Sequence, residues 1–234
     1  MSRPRVEWHI VRITRDHPAL AEIMNKMEDI GVFALKDDPL TVPTVAAHYT
    51  ERPDLYHKFV RMQLEVGLIG GQLYGAFSGS EVTPDSLVGL ALWYEPDTEF
   101  MASDAEHGPW DAYMRDIQPE TKQWWDDILL PRVNLLAKES FGDVRKDTMF
   151  QLQLLAVHPD FHRQGIGAAL CRHVLRKVDA AGVSSCLETN STDNVKFYGS
   201  LGFEVKGSVL MPSRFGDFIM TCMCRPPRYD TPRV

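Results

Sequence analysis

Apolar residues recur along this chain with two different spacings, and the switches between them mark its elements. Glu7–Thr14 (EWHIVRIT) alternates apolar and polar positions, the period of a half-buried strand. Pro18 stands where a first-turn proline is tolerated, so Ala19–Ile30 is expected to be helical and to stop at Gly31. Phe33–Thr50, with prolines at 39 and 43, is expected to be irregular. In Pro53–Gly67 the residues Leu55, Phe59, Met62 and Val66 return at helical spacing, and Gly67, Gly70 and Gly71 close the run. Gln72–Ser78 and Ser86–Tyr94 read as two strands joined by a turn at Gly79–Asp85, which together make a hairpin.

Asp97–Glu120 is polar, acidic and punctuated by Gly and Pro. It is longer than an ordinary connection and is expected to be an insertion or lid. Gln123–Phe141 follows as a helix that Pro131 kinks or splits, with Trp124, Ile128, Leu135 and Leu136 expected in the core. The second half is more regular. Met149–Val157 predicts a strongly apolar strand, Gly165–Ala181 a helix ended by Gly182, and Ser184–Thr189 a strand. Asp193–Leu201 predicts a short helix ended by Gly202, and Phe203–Leu210 and Asp217–Cys224 two further strands. Arg225–Val234 holds three prolines and is expected to be loose. Strands alternating with helices before a terminal hairpin predict one mixed α/β domain over 1–234, its core at about 5–225, with a sheet of six or seven strands flanked by helices.

Composition narrows the possibilities. With 234 residues, 44% of them hydrophobic, the chain is long enough for a substantial core. Its net charge of −7 and lack of any long Lys/Arg run give no electrostatic footprint for nucleic acid. No run of about 18 apolar residues predicts a membrane span, and no apolar stretch behind the N-terminus predicts a leader, so a cytoplasmic protein is expected. Cys171, Cys186, Cys222 and Cys224 lack the spacing of a metal set and are expected as reduced, mostly buried thiols, with no metal.

Candidate chemistry concentrates in Gln151–Val178. The stretch LLAVHPDFHRQGIGAAL carries an apolar strand to His158-Pro159, then a short loop, then a helix that starts near Gly165. The first N–H groups of a helix have no internal partner, and the helix dipole places about half a positive charge there. Gly165 and Gly167 leave that backbone open, and Arg163 adds a full charge beside it. The product is an anion cradle suited to a pyrophosphate. Taken alone, Gly-Ile-Gly is equally a tight turn with close helix packing. No Gly-Lys-Ser/Thr follows, as a P-loop needs, and no third glycine, as a Rossmann fingerprint needs.

These residues resemble the acetyl-CoA-binding motif of the GCN5-related N-acetyltransferase (GNAT) superfamily, Gln/Arg-x-x-Gly-x-Gly/Ala behind a strand ending in valine. A second resemblance lies downstream, where Asn194-Val195-Lys196-Phe197-Tyr198-Gly199-Ser200-Leu201-Gly202-Phe203 is similar to the family's N-x-x-F-Y-x-x-L-G-F element. The wording LET…NVKFYGSLGFEV is most similar to puromycin N-acetyltransferase-like members, which modify small molecules. The resemblance covers Met149–Cys224 well, and the first half only in its order of strands and helices.

The resemblance implies an enzyme that transfers acetyl from acetyl-CoA to a primary amine. Pantetheine is expected along Leu155, Ala156 and Val157, where that strand splays from its neighbour. The pyrophosphate is expected at Arg163, Gln164, Gly165, Ile166, Gly167 and Ala168, with further cofactor contacts from Asn194, Phe197 and Tyr198. Tyr198 is expected to be the acid. His162 takes the motif's Gln/Arg position, which leaves open whether it or Arg163 faces a phosphate. Many members carry a glutamate early on the strand; here Gln151 and Gln153 stand there, so the base is expected to be Glu188 or a water relay. Trp93, Tyr94, Trp124 and Trp125 are candidates to shape an acceptor pocket, with Phe33–Thr50 as a loop on that side. The acceptor is expected to be a small-molecule amine. A protein lysine or N-terminus, or no turnover at all in a CoA-binding homologue, are the alternatives. A monomer or a homodimer built on the terminal hairpin is expected.

Overall fold

Seven strands form one mixed sheet in the order β1-β2-β3-β4-β5-β7-β6 in a computed structural model that describes residues 8–98, 100–142 and 146–228. They are β1 (Trp8–Ile13), β2 (Gln72–Ser78), β3 (Leu87–Tyr94), β4 (Phe150–Val157), β5 (Ser185–Thr189), β6 (Glu204–Met211) and β7 (Phe218–Arg225). Only β4 and β5 run parallel; every other neighbouring pair is antiparallel. Helices α1 (Leu20–Leu35), α2 (Thr41–Val45), α3 (Pro53–Gly70), α4 (Asp104–Asp116), α5 (Pro119–Trp124) and α6 (Leu130–Phe141) come from the first half and its insertion. Helices α7 (Ile166–Ala181) and α8 (Thr192–Ser200) come from the second. The expected mixed α/β architecture is therefore observed.

Strand alternation sorts the core into two layers. Leu73 and Phe77 of β2 pack with α1 and α3 on one face, while Tyr74 and Ala76 pack with α7 on the other. Two strands break the rule: in β3, Val88 faces α7 while Leu90 faces α1 and α3, and β4 switches as well. In β4, Phe150 and Leu152 face α7, but Leu154 and Ala156 face α1 and α3. The register explains the switch: Trp93 of β3 pairs with Leu152 and Leu92 with Leu154, which leaves Gln153 as an extra residue. A bulge of this kind inverts the parity of everything after it.

Several boundaries differ from expectation. Gly31 does not stop α1, which runs to Leu35. A Cβ at Gly31 would lie 2.6 Å from Cγ1 of Val60, so this glycine lets α1 approach α3. Phe33 accordingly lies in the helix, and α2 occupies part of the segment expected to be irregular. Likewise α3 runs past Gly67 to Gly70. The polar insertion contains α4, whose Ser103/Glu106 capping box is built on a glutamate only 1% exposed.

The helix expected over 123–141 is divided, as Pro131 predicts, but the division is a π-helical turn at Trp125–Leu129, closed by the Leu130 N–H to the Trp125 carbonyl. The wider turn rotates the inner face. Trp125, Leu129 and Leu136 are buried, Trp124 and Ile128 are half-buried, and Leu135 is 48% exposed, against the expectation for the last.

Arg225 is not part of a loose tail. It ends β7 at 4% exposure, bonded through Nη1 and Nη2 to the Asp179 carboxylate at 2.7 and 2.8 Å and through Nε to the Leu201 carbonyl at 3.1 Å. That pairing ties the end of α7 to the sheet. The tail beyond Arg228 lies outside the described residues. All four cysteines are buried free thiols.

Candidate active site

The loop before α7 has a backbone that only a few sequences tolerate. Pro159–Phe161 makes one 3₁₀ turn, after which Arg163 (φ +62°) and Gly165 (φ +85°) both adopt left-handed conformations. Gly165 is favoured at its position because side chains disfavour that region. A Cβ there would meet nothing within 4 Å, so the glycine serves the turn and leaves open space in front of the helix. The first bond inside α7 runs from Ala169 N–H to Gly165 O at 2.9 Å. The N–H groups of Ile166, Gly167 and Ala168 come before it and are free of the helix ladder. Ile166 is 1% exposed, its side chain packed in the core layer that α7 forms on the sheet. Gly167 packs under Phe197, whose Cζ lies 3.4 Å from a Cβ position on it.

Polar side chains in this loop divide their work. His162 turns back onto the strand end, its Nε2 2.9 Å from the Val157 carbonyl. Since a carbonyl only accepts, this nitrogen carries the proton, and the imidazole braces the turn. Gln164 Nε2 donates to Asp160 O at 3.3 Å and does the same. Arg163 is exposed at the mouth of the open space.

Behind the loop, β4 and β5 separate. Their pairing covers Phe150–Leu152 against Ser185–Leu187 and goes no further. Beyond it β5 pairs only with β7, through Glu188 and Thr189, and β4 pairs only with β3. The β4 backbone from Gln153 onward therefore presents one edge with no strand partner, and the Gln153 bulge opens at the parting. A cavity of about 620 Å³ occupies the gap and continues under the first-half helices.

This cavity collects several of the expected residues: Leu155 from β4, Glu188 from β5, and Asn194 and Tyr198 from α8, with Gln151 and Gln153 beside them. Tyr198 is 8% exposed, its ring packed edge-on to Phe197 at 5.0 Å and Phe203 at 5.9 Å. Burial, with the neighbouring Cys171 thiol, pushes the phenol's pKa well above its ordinary value. The hydroxyl is therefore protonated at neutral pH. Burial likewise raises the Cys171 thiol to about 12, so it stays protonated.

Glu188 is engaged by Lys146, whose Nζ lies 2.8 Å from Oε1, at ion-pair distance but off the line of a directed hydrogen bond. Burial disfavours the Lys146 charge, yet Glu188, with Cys186 and Cys222 beyond it, raises the ammonium's pKa overall. Ala156 is 2% exposed in the core, and neither it nor Val157 lines the cavity. The cradle residues 163–168 and Phe197 lie around the separate opening before α7.

The far wall is apolar and comes from the insertion and α3. Trp110 packs against Trp125 with ring centroids 4.9 Å apart, and Trp125 Nε1 donates to the Thr44 carbonyl at 3.1 Å. Of the four aromatic residues expected near an acceptor, Trp125 alone reaches this cavity. Trp93 and Tyr94 are buried in the core at 0% and 1% exposure, and Trp124 donates instead to the Pro212 carbonyl at 2.8 Å. Sequence reasoning missed Trp110, Lys146, Asp38 and Asn190, which line the cavity from separate elements.

Residues 136–205 match the family described as Acetyltransferase (GNAT) domain, a span that includes both the glycine loop and Asn194–Phe203. The whole chain is similar in fold to solved acetyltransferases. A structure described as histone acetyltransferase HPA2 and related acetyltransferase from Corynebacterium glutamicum superposes with a TM-score of 0.61 at 20% identity, covering 96% of this chain and 98% of that one. A GCN5-related N-acetyltransferase from Rhodopseudomonas palustris gives 0.51 at 12% identity, covering 97% and 98%. The NatC complex bound to a Gag peptide and CoA gives 0.50 at 12%, covering 95% and 99%. The fold is thus that of the GNAT acetyltransferases. The matched segment carries the site's glycine loop and its tyrosine.

No helix among the described residues is long and apolar enough to cross a membrane. No group of three or more His, Cys, Asp and Glu among them is arranged to hold a metal ion.

Proposed function

We propose that this chain transfers an acetyl group from acetyl-CoA to a primary amine carried by a small molecule. The observation that carries the reading is the parting of β4 from β5, where Tyr198 and an unpaired strand edge open into one cavity. The free N–H groups at 166–168, the open space before Gly165 and exposed Arg163 suit the pyrophosphate of CoA. The unpaired edge of β4 at Gln153–Leu155 suits the amide-rich pantetheine arm, which hydrogen-bonds like an added strand. When bound, acetyl-CoA supplies an activated thioester carbonyl.

The chain's own groups supply the rest. An alkyl amine with a pKa of about 10 arrives protonated and must shed that proton before its nitrogen attacks. Gln151 and Gln153 line the cavity as neutral hydrogen-bonding groups and orient a water that accepts it. Glu188, held by Lys146, is the charged end of that relay. The new N–C bond forms as the C–S bond breaks. Tyr198 gives its proton to the departing sulfur in the same step as it regains one from the relay, and the second proton of the attacking nitrogen leaves through the relay to solvent, one net proton per turnover. An N–H of the unpaired β4 edge polarises the carbonyl oxygen.

The apolar wall favours a small molecule over an extended peptide, because Trp110 from the insertion and Trp125 and Leu129 from the π turn line the cavity with bulky side chains. The wording of the Asn194–Phe203 element fits the puromycin N-acetyltransferase-like group in the same direction. Release of free thiol from acetyl-CoA across a panel of amines and peptides tests the reading. Thiol release with small amines is expected. CoA binding with no thiol released on any acceptor would favour a non-catalytic homologue, and preference for peptides would move the function to protein acetylation.

A further inference from the structure

The cavity's ionisable lining is small enough to be counted. Among the described residues it consists of Asp38, Glu188 and Lys146, with no arginine or histidine. Lys146 and Glu188 face each other at 2.8 Å and cancel. Asp38 has no cation beside it among the described residues. Its Oδ1 accepts from the N–H groups of Leu40 at 3.0 Å and Thr41 at 2.9 Å and from the Thr41 hydroxyl at 3.1 Å. Asn190 Nδ2 reaches both oxygens, at 3.0 and 2.9 Å. All of these donors are neutral. They fix the carboxylate at the start of α2 and against the loop that leads into α8, but they leave its charge uncompensated. The described part of the lining therefore holds one surplus negative charge.

The remaining surface is of a different kind. Phe59 and Met62 of α3, Trp110 of α4, and Trp125 and Leu129 of the π turn line it with apolar and aromatic groups. Asp38 is half-buried, and a carboxylate partly withdrawn from water favours a ligand of opposite sign. An aromatic wall adds attraction for a cation near its ring faces and for any apolar body. A dication would bring one charge too many, and a zwitterion would set its carboxylate against Asp38.

We propose that the cavity selects singly charged amines on a bulky apolar body, and that Asp38 is the specificity-determining carboxylate that receives the ammonium. This rests on the reading of the cavity as the acceptor side of an acetyltransferase, but it concerns binding and can be measured without turnover. Asp38 acts before the chemistry: it draws the protonated amine in, and the proton is lost nearer to Tyr198.

Calorimetric titration of the full chain, without acetyl-CoA, with phenethylamine, phenethyl alcohol, L-phenylalanine and putrescine tests the proposal. Phenethylamine is expected to bind at least about tenfold more tightly than each of the others, a gap of about 1.4 kcal/mol. In Asp38→Asn, which keeps an oxygen for the α2 cap, its advantage over the alcohol is expected to fall to within about twofold. An unchanged affinity of that variant for CoA shows that it has folded. The proposal is overturned if Asp38→Asn keeps the wild-type preference, or if phenylalanine or putrescine binds wild type as well as phenethylamine. The wild-type arm can overturn the proposal even if the variant does not fold. Should phenethylamine bind as expected while no amine releases thiol from acetyl-CoA, the acetyl-transfer reading fails and the charge selection stands. Thiol release that favours putrescine or phenylalanine is the reverse result.

Discussion

The two sides of the cavity are built from different materials. The proposed donor side, from β4 to α8, is made of backbone: free N–H groups in the first turn of α7, a left-handed glycine, and a strand edge left without a partner. The acceptor side is made of side chains that converge from α2, α3, α4 and a π turn. Backbone devices need particular residues at fixed spacing, so they leave a signature in the sequence. Packed walls need only apolar volume of suitable shape, which many sequences provide. One side is therefore expected to be brittle to point changes that alter charge or backbone conformation, and the other graded in its response.

The largest effect expected on the donor side concerns its frame. Asp179→Asn breaks the pair that joins α7 to β7, with Arg225 only 4% exposed, and should cost about 3 kcal/mol in denaturant unfolding. Hydrogen bonds from Arg225 hold the Asp179 carboxyl below its ordinary pKa, outweighing burial. That stabilisation is present above the ordinary carboxylate pKa and is lost as pH falls through the lowered value. Wild-type and variant stabilities should converge in acid. Parallel curves down to low pH would remove this pair from the account.

Gly165→Asp sets bulk and negative charge in the cradle and should weaken CoA binding by roughly a hundredfold. Gly165→Ala separates the causes, since the φ of +85° costs any L-residue about 1–2 kcal/mol of stability without adding charge. Alanine is expected to lower the melting temperature and to bind CoA within a few-fold of wild type. Equal losses of affinity in both variants would assign the glycine to conformation alone.

Tyr198→Phe removes a hydroxyl that opens on the cavity and should cut turnover at least about tenfold with little change in CoA affinity. Unchanged turnover would take Tyr198 out of the mechanism. The smallest expected effect belongs to the wall: Trp110→Ala should raise the KM for an apolar amine by roughly fivefold, with donor binding untouched, as loss of one aromatic contact implies. Loss of CoA affinity in that variant would erase the division between the two sides.

The same division explains what could be read in advance. The seven strands, α7 and α8 follow from period and punctuation, because regular elements on a two-layered sheet impose both. Gly31 misleads, since a glycine that admits a neighbouring helix looks like one that ends its own. The π turn at Trp125–Leu129 defeats helical spacing by lengthening one turn, which is why Trp125 and Leu129 are inward while Leu135 is outward. In the site, the glycine loop, Tyr198 and Asn194 are legible because each belongs to a motif. Asp38 and Asn190 are 152 residues apart and meet only through the fold. Nothing local in the sequence marks either of them.

Amide hydrogen exchange, with and without CoA, bears most directly on the central claim that one ligand spans the cradle and the parted strands. Slowed exchange is expected at Ile166, Gly167 and Ala168 and, in the same complex, along Gln153–Leu155, with the α4 wall unchanged. Protection confined to the wall, or none at either donor segment under saturating CoA, would contradict the account.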